Sequence, residues 1–182
     1  MRSVRPFFSI GTLVLLASMA ACSDAPTKSP DVTDNLRRSL DQAGFKDVSV
    51  SQDRDKGVVT LTGTTASEAD KAQAESIAKS IAGPQVVSDQ IAVRPPGEES
   101  TAKKVDSDLD KGIEKNFDAV LVRHKLDSVV KYDVKNGVVT LTGHVNSQSR
   151  RAMVEKLATG VPNVKQVVNE LEVKDQKASS SD

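Results

Sequence analysis

The chain has 182 residues with 25 basic and 25 acidic side chains, no tryptophan, one tyrosine and four phenylalanines. This length fits one medium domain or two small ones. A formal net charge of zero argues against a general nucleic-acid binder, because such proteins need clustered positive charge along the phosphate track. The scarcity of aromatic side chains also weighs against base-stacking surfaces, so no nucleic-acid partner is expected.

The N-terminus has the features of an export signal. Arg2 and Arg5 precede an apolar run over residues 7–18, which is too short to span a bilayer. Small residues follow this run, as they do at a cleavage point. We predict that residues 1–21 are a signal peptide of the lipoprotein type and that the chain is exported.

Cys22 is the only cysteine, so it cannot form a disulfide within the chain. The sequence MAAC at residues 19–22 resembles a bacterial lipobox, in which the cysteine becomes the lipidated first residue of the mature protein. The alternative is ordinary cleavage after Ala20, which leaves Cys22 incidental. Ser23 resembles the outer-membrane sorting pattern of enterobacterial lipoproteins. This resemblance implies a protein on the periplasmic side of the envelope, anchored through lipid to the outer membrane.

Two segments of the chain repeat each other. The heptad GVVTLTG at residues 57–63 returns unchanged at residues 137–143, and the same offset of 80 residues aligns apolar positions as far as Val93 and Val173. Two copies of this kind indicate a duplicated domain rather than a solenoid. Polar stretches rich in Pro, Ser or Lys precede the first copy, separate the two copies and follow the second. We therefore divide the chain into a tether (residues 22–30), a first domain (31–94), a linker (95–104), a second domain (105–174) and a disordered tail (175–182).

Each copy begins with an amphipathic helix and a hairpin. The helix is predicted from apolar residues at helical spacing, which are Val32, Leu36, Leu40 and Ala43 in the first copy and Leu109, Ile113, Phe117, Val120 and Leu121 in the second. A short alternating strand follows and ends in a turn, where Asn136-Gly137 is a strong hairpin signal. The heptad is then the second strand, with Val59 and Leu61 facing the core and Val58, Thr60 and Thr62 facing away.

A second helix and a last strand complete each copy. Ser67 or Asn146 can cap this helix, and apolar residues continue at helical spacing and then at strand spacing. The order in each copy is therefore αββαβ, and the predicted fold class is α+β, with a three-stranded mixed sheet covered by two helices on one face. Units this small are near the lower size limit for independent folding, so packing of copy against copy is expected.

Glycines bracket the heptad, as they do in some phosphate-binding loops. A phosphate loop also needs consecutive free backbone N–H groups and a lysine, whereas five strand-forming residues fill this interval and no Gly-Lys-Ser/Thr sequence occurs. We interpret these glycines as structural. Gly57 and Gly137 supply the positive φ of a tight turn, and Gly63 and Gly143 allow a close approach where the strand leaves the sheet.

The pattern of a helix, then NGVVTLTGxVxS, then a helix and VxxVVNELxV is similar to the BON domain family. The resemblance covers both segments, and the second copy fits best, with the heptad at residues 137–143 followed by Val145, Ser147 and VVNEL at residues 167–171. The first copy departs at the last motif, which reads VSDQI at residues 87–91. The resemblance implies a paired-domain periplasmic protein or outer-membrane lipoprotein that binds phospholipid or envelope proteins, supports envelope integrity and carries no catalysis.

No catalytic group, metal site or cofactor site is predicted. His124 and His144 have no counterpart in the other copy and no clustered cysteines or carboxylates beside them. Asp89 and Asn169 occupy the same point of the last strand in the two copies. They either contact a ligand or satisfy the backbone near a strand edge.

The first helix of the second copy is the candidate contact surface. Apolar residues at positions 117–122 stand beside the basic residues Lys115, Arg123 and Lys125, a combination that suits an anionic lipid surface. Val122 is the apolar residue predicted to make that contact together with Lys115, Arg123 and Lys125. The alternative is an ordinary core helix with a solvated charged face.

The lipobox predicts that Cys22 is acylated. Cells fed labelled palmitate are expected to label the wild-type chain and to leave the Cys22→Ser variant unlabelled, because the thiol is the acceptor of the lipid. The wild type should partition with membranes, since several acyl chains at about 0.8 kcal/mol per buried methylene hold it there. An unlabelled wild-type chain in the soluble periplasmic fraction would contradict the prediction.

Overall fold

The computed structural model describes residues 28–174. The predicted signal peptide, the predicted lipidation site Cys22, most of the tether and the predicted tail at 175–182 lie outside the described residues. No helix within residues 28–174 combines the length and the apolar character needed to cross a membrane.

The first domain has five elements in the predicted order. They are α1 (Thr33–Gln42), β1 (Val48–Asp53), β2 (Val58–Thr65), α2 (Glu68–Ala82) and β3 (Val86–Val93). Strand β2, which contains the heptad, lies at the centre of the sheet, antiparallel to β1 and parallel to β3. The two helices pack on one face of this sheet, and their apolar residues form one core with it.

The second domain repeats this order, with its last strand in two pieces. Its elements are α3 (Glu99–Arg123), β4 (Val130–Lys135), β5 (Val138–Val145), α4 (Gln148–Thr159), β6 (Gln166–Asn169) and β7 (Glu172–Val173). Strand β5 is again central, antiparallel to β4 and parallel to β6 and β7. The predicted α+β fold with a mixed sheet in each copy is confirmed.

One face of each heptad strand forms the core of its own domain. Val59 and Leu61 are fully buried beneath α1 and α2, and Val139 and Leu141 are fully buried in the second domain. Burial of one such side chain is worth about 1.5–3 kcal/mol. The alternation predicted from the sequence therefore places the correct residues in the core.

The opposite face of the heptad strands joins the two domains. Val58, Val138 and Val168 form a separate buried cluster that contains residues from both copies. The first valine of each heptad is thus 5% or less exposed, although it points away from its own core. The expected packing of copy against copy is confirmed, and it covers the face that the two helices leave open.

Polar contacts fix the register between the domains. The side-chain amide of Gln166 donates to the Val87 carbonyl at 2.7 Å and accepts from the Asp89 N–H at 3.1 Å. Lys56 donates to Glu170 at 2.8 Å, and this hydrogen bond raises the pKa of Lys56 above its ordinary value. These contacts close the free edge and the turn of the first sheet with side chains from the second domain.

The predicted linker and tether are shorter than expected. Helix α3 begins at Glu99, so residues 99–104 are helical, and the connecting segment is essentially residues 94–98. Acidic residues at a helix start complement the helix dipole, and an ion pair between Arg94 and Asp106 holds α3 against the end of β3. Ser29 of the predicted tether exchanges hydrogen bonds with Arg54 and so belongs to the first domain.

Three further details differ from the sequence prediction. Leu109 is 39% exposed, because the first half of α3 extends beyond the core that begins at Ile113. Ser147, rather than Asn146, caps α4, since its hydroxyl accepts the Arg150 N–H. Ala43 is exposed, and Phe45 packs against the core in its place.

The four glycines that bracket the two heptads all have positive φ. Asn136 and Gly137 have φ of 52° and 81° in a two-residue turn, and Gly57 has φ of 66°. Gly63 and Gly143 both have φ of 113°, and a Cβ at either would overlap a backbone carbonyl, of Asp47 or Val129. Each is the last residue that its strand pairs with the antiparallel neighbour, two residues before the strand ends.

Gly63→Ala is expected to destabilise the protein far more than Gly44→Ala. Both glycines have positive φ, at 113° and 91°, but no atom lies near a Cβ at Gly44. The strain of a positive φ costs roughly 1–2 kcal/mol for alanine, whereas the overlap at Gly63 adds to that cost. Urea unfolding of the two variants measures the difference. Equal losses of unfolding free energy would show that close approach is not the constraint at Gly63.

Candidate functional site

The end of α3 separates its buried and exposed faces sharply. Ile113, Phe117 and Leu121 are buried at helical spacing, whereas Val122 is 62% exposed. The predicted contact residues Lys115, Arg123 and Lys125 are exposed as well. Seven residues make almost two helical turns, so Lys115 and Val122 share one face of the helix. The structure thus brings the four predicted residues onto the solvent side of one helix end.

Asp118 lies between Lys115 and Val122 on this helix face, and its carboxylate is hydrogen-bonded to the sheet. Tyr132 on β4 donates its hydroxyl to Asp118 at 2.6 Å and contacts the ring of Phe117 edge-on, with centroids 4.9 Å apart. Burial and the neighbouring Asp118 raise the pKa of Tyr132 above its ordinary value of 10.0. The phenol therefore stays protonated and continues to donate, and the Asp118 carboxylate is directed towards β4.

The two histidines have different surroundings. His124 is exposed at the end of α3, and Nε2 of His144 lies 2.9 Å from the carboxylate of Glu172. Within the described part of the chain, no three His, Cys, Asp or Glu side chains cluster as metal ligands.

Asp89 and Asn169 form hydrogen bonds with backbone groups at a strand edge. This agrees with the second of the two interpretations given above, in which they satisfy the backbone rather than contact a ligand. Asp89 is 6% exposed, and its Oδ1 accepts the Ile91 N–H at 3.1 Å. Lys71 donates to the Ile91 carbonyl and lies 3.8 Å from Asp89. In the second domain, Asn169 likewise accepts the Leu171 N–H, and Arg151 donates to the Leu171 carbonyl. Each domain thus caps one strand edge with a cation and an Asp or Asn.

Burial makes the ionised form of Asp89 costly. Desolvation raises the pKa of Asp89 above its ordinary value of 3.8, and Glu75 and Glu68 act in the same direction. The hydrogen bond from Ile91 and the charge of Lys71 lower this pKa, but they do not cancel the effect of burial. Asp89 therefore lowers the stability of the folded state once it ionises.

Sequence reasoning missed a cleft beside the end of α3. Lys125, Arg150 and Lys174 line it, together with His144. A signal was available, because the offset of 80 residues aligns Arg150 with the acidic Asp70 of the first copy. The charge reversal was visible, but the proximity of the basic residues was not, since they come from three separate segments.

Asp89→Asn is expected to leave stability unchanged at acidic pH and to raise it at neutral pH. The raised folded-state pKa means that wild-type stability falls as pH rises from 3.8 through that pKa. The amide cannot ionise, and Asn169 shows that it can make the same contact with the backbone. Thermal melts of wild type and variant across this pH range measure the difference.

Asn169→Asp is the control, and its effect on stability at neutral pH should be opposite to that of Asp89→Asn. Asn169 donates to Glu155 at 2.8 Å, so an aspartate there places two carboxylates in contact. This variant should lose stability at neutral pH and recover it in acid. If the stability of the wild type relative to Asp89→Asn increased with pH, burial of the ionised Asp89 carboxylate could not be the cause.

Comparison with known proteins agrees with this architecture. The BON domain family model matches residues 29–95 and 109–175. The osmotically inducible protein Y of Escherichia coli (strain K12) is 33% identical over 153 residues, which cover 79% of this chain and 71% of that protein.

Two solved structures of CdsD, a structural protein of the type III secretion system of Chlamydia trachomatis, are more distant. Its C-terminal domain matches with a TM-score of 0.30 and 16% identity over 79% of this chain and 66% of that one. A second CdsD structure matches with a TM-score of 0.35 and 13% identity over 77% and 90% of the two chains. Likenesses this weak add nothing to the assignment, which rests on the two family matches and on the E. coli relative. The chain belongs to the BON domain family.

Proposed function

We propose that this protein is a non-enzymatic lipoprotein of the bacterial envelope that responds to osmotic or other envelope stress and attaches to anionic phospholipid. Family membership and 33% identity to an osmotically inducible protein support the stress-related role. The observation that carries the lipid contact is Val122, 62% exposed beside Arg123 and Lys125 at one helix end.

This helix end combines the two forces that hold proteins at anionic membranes. Val122 can enter the interfacial region, and nearby cations are attracted to anionic headgroups by about 1 kcal/mol each. Lys115 extends the positive charge along the same helix face. Leu121 is 2% exposed in the core and anchors this face, so the contact needs no unfolding.

A lipid on Cys22 would make a weak protein contact sufficient. An anchored chain has a high effective concentration at the membrane, so a second contact forms without strong intrinsic affinity. The anchor keeps the protein at the periplasmic side of the outer membrane, and the end of α3 then sets how the domains lie against the surface.

A second candidate function is a soluble periplasmic stress protein that acts on other envelope proteins. The name of the E. coli relative favours an osmotic response without indicating a lipid. In this case the exposed Val122 and its basic neighbours contact an acidic protein surface instead. Binding to anionic vesicles separates the two candidates, because only the first requires it.

The pair Val122→Glu and Arg123→Glu is expected to weaken binding to phosphatidylglycerol vesicles about tenfold or more while the fold is retained. The acylation site is removed by Cys22→Ser in every sample, so that vesicle flotation reports the protein contact alone. Binding to phosphatidylcholine vesicles should be weak throughout, since the cations have no anionic headgroup to meet.

Lys104→Glu with Val105→Glu is the matched control on the same helix. Val105 is 52% exposed and Lys104 is exposed, so an exposed valine and a neighbouring cation are again replaced by glutamates, at the far end of α3. This control should bind vesicles like its parent. Equal binding by the parent and the Val122/Arg123 pair would place the lipid surface elsewhere, and no vesicle binding by any sample would favour the soluble candidate.

A further inference from the structure

Each domain has a cleft at the same place in its fold. It lies between the end of the first helix, the end of the central strand and the start of the second helix. Gly44 and Lys125 follow the first helix, Asp70 and Arg150 lie in the first turn of the second, and Arg94 and Lys174 follow the last strand. These positions correspond in the two clefts, so their side chains can be compared directly.

The charges of the two linings differ. Asp47, Asp70 and Glu99 line the first cleft together with Lys46 and Arg94, and Arg94 is paired with Asp106. Lys125, Arg150, Lys174 and His144 line the second, and within residues 28–174 its lining contains no carboxylate, although Glu172 lies 2.9 Å from His144. Val129 replaces Asp47 and is 40% exposed, so this cleft also has an apolar side. Duplication has thus produced one mixed, acid-rich cleft and one cationic cleft.

Arg150 stands where local stability favours an acid. In the first domain, Ser67 accepts the Asp70 N–H and donates to the Asp70 carboxylate, which completes a capping arrangement. In the second domain, Ser147 accepts the Arg150 N–H in the same way, but the side chain is a cation at a helix start. Arg150 Nε is buried and donates to no acceptor in residues 28–174.

Lys125 is also unfavourable for local stability. It has φ of 54°, at the point where the first domain has Gly44 with φ of 91°. A side chain in this conformation costs roughly 1–2 kcal/mol relative to glycine. Neither Lys125 nor Arg150 has a carboxylate within 4.0 Å among the described residues. Two strained or unsatisfied cations in one cleft indicate a functional constraint.

We infer that the cationic cleft of the second domain binds the phosphate group of an anionic ligand. The cleft has a volume of about 250 Å³, which is enough for a phosphate group. The guanidinium of Arg150 supplies planar donors for phosphate oxygens, Lys125 and Lys174 supply charge, and the start of α4 adds the positive end of a helix dipole. The ligand then occupies the place of the missing Asp70-type carboxylate.

The inference deepens the proposed function, on which its lipid form rests. The cleft adjoins the end of α3, so a phospholipid whose headgroup enters it would place its acyl chains near Val122 and Val129. A free phosphate ester offers the same recognition chemistry. The two sources are distinguished by using sn-glycerol-1-phosphate and phosphatidylglycerol vesicles as separate probes.

Arg150→Asp is the decisive variant, because the first domain shows that aspartate suits this position. It should restore the Ser-x-x-Asp cap and keep or raise the melting temperature. It should also weaken glycerol phosphate binding about tenfold or more, as expected for loss of a charged hydrogen-bonding group. Amide chemical shifts of Lys125, Asn146 and Arg150, followed in the full Cys22→Ser chain, report occupancy. Asp70→Arg, at the equivalent position of the first domain, is the control. The amide shifts of Lys125, Asn146 and Arg150 should respond to glycerol phosphate in this variant as they do in the parent.

The outcomes separate this inference from the proposed function. Loss of both glycerol phosphate and vesicle binding in Arg150→Asp supports a headgroup cleft. Loss of glycerol phosphate binding alone supports a cleft for a soluble phosphate ester, with vesicles held at Val122 and Arg123. If the parent shows no saturable shifts with glycerol phosphate, and vesicle binding is the same in parent and Arg150→Asp, the inference is overturned even where the parent binds vesicles.

Discussion

The central strand of each sheet is the constraint on which the remaining structure depends. Strands β2 and β5 have hydrogen-bonded neighbours on both sides, a core on one face and the other domain on the opposite face. Val58, Val59 and Leu61 are therefore all buried, and Gly63 has no room for a Cβ. A strand covered on every side tolerates few side chains, which explains why GVVTLTG is the same in both copies.

The packing of the two domains also determines which of their surfaces stay exposed. Helices cover one face of each sheet, and the buried contact between Val58, Val138 and Val168 covers the other. Gln166 and Lys71 satisfy the outer edge of β3, which would otherwise be open to another strand. The surfaces left for a partner include the helix ends and the clefts beside them, and the two clefts differ in charge.

Part of the candidate surface could be predicted from the sequence. Helical spacing alone places Phe117 and Leu121 in the core and Val122 outside it, because 100° per residue separates neighbours on a helix. The cationic cleft could not be predicted in this way. Lys125, Arg150 and Lys174 lie far apart in the chain and meet only because β5 and β7 pair beside the start of α4.

The sequence by itself determined the duplication, the αββαβ order, the core face of each strand and the turn glycines, since these follow from local periodicity and backbone preference. Tertiary structure decided what the second face of the heptad strand contacts and where α3 begins. It also turned Asp89 from a possible ligand contact into an edge cap. These outcomes depend on contacts between residues distant in the chain, such as Gln166 with Val87 and Arg94 with Asp106, and short-range patterns do not encode them.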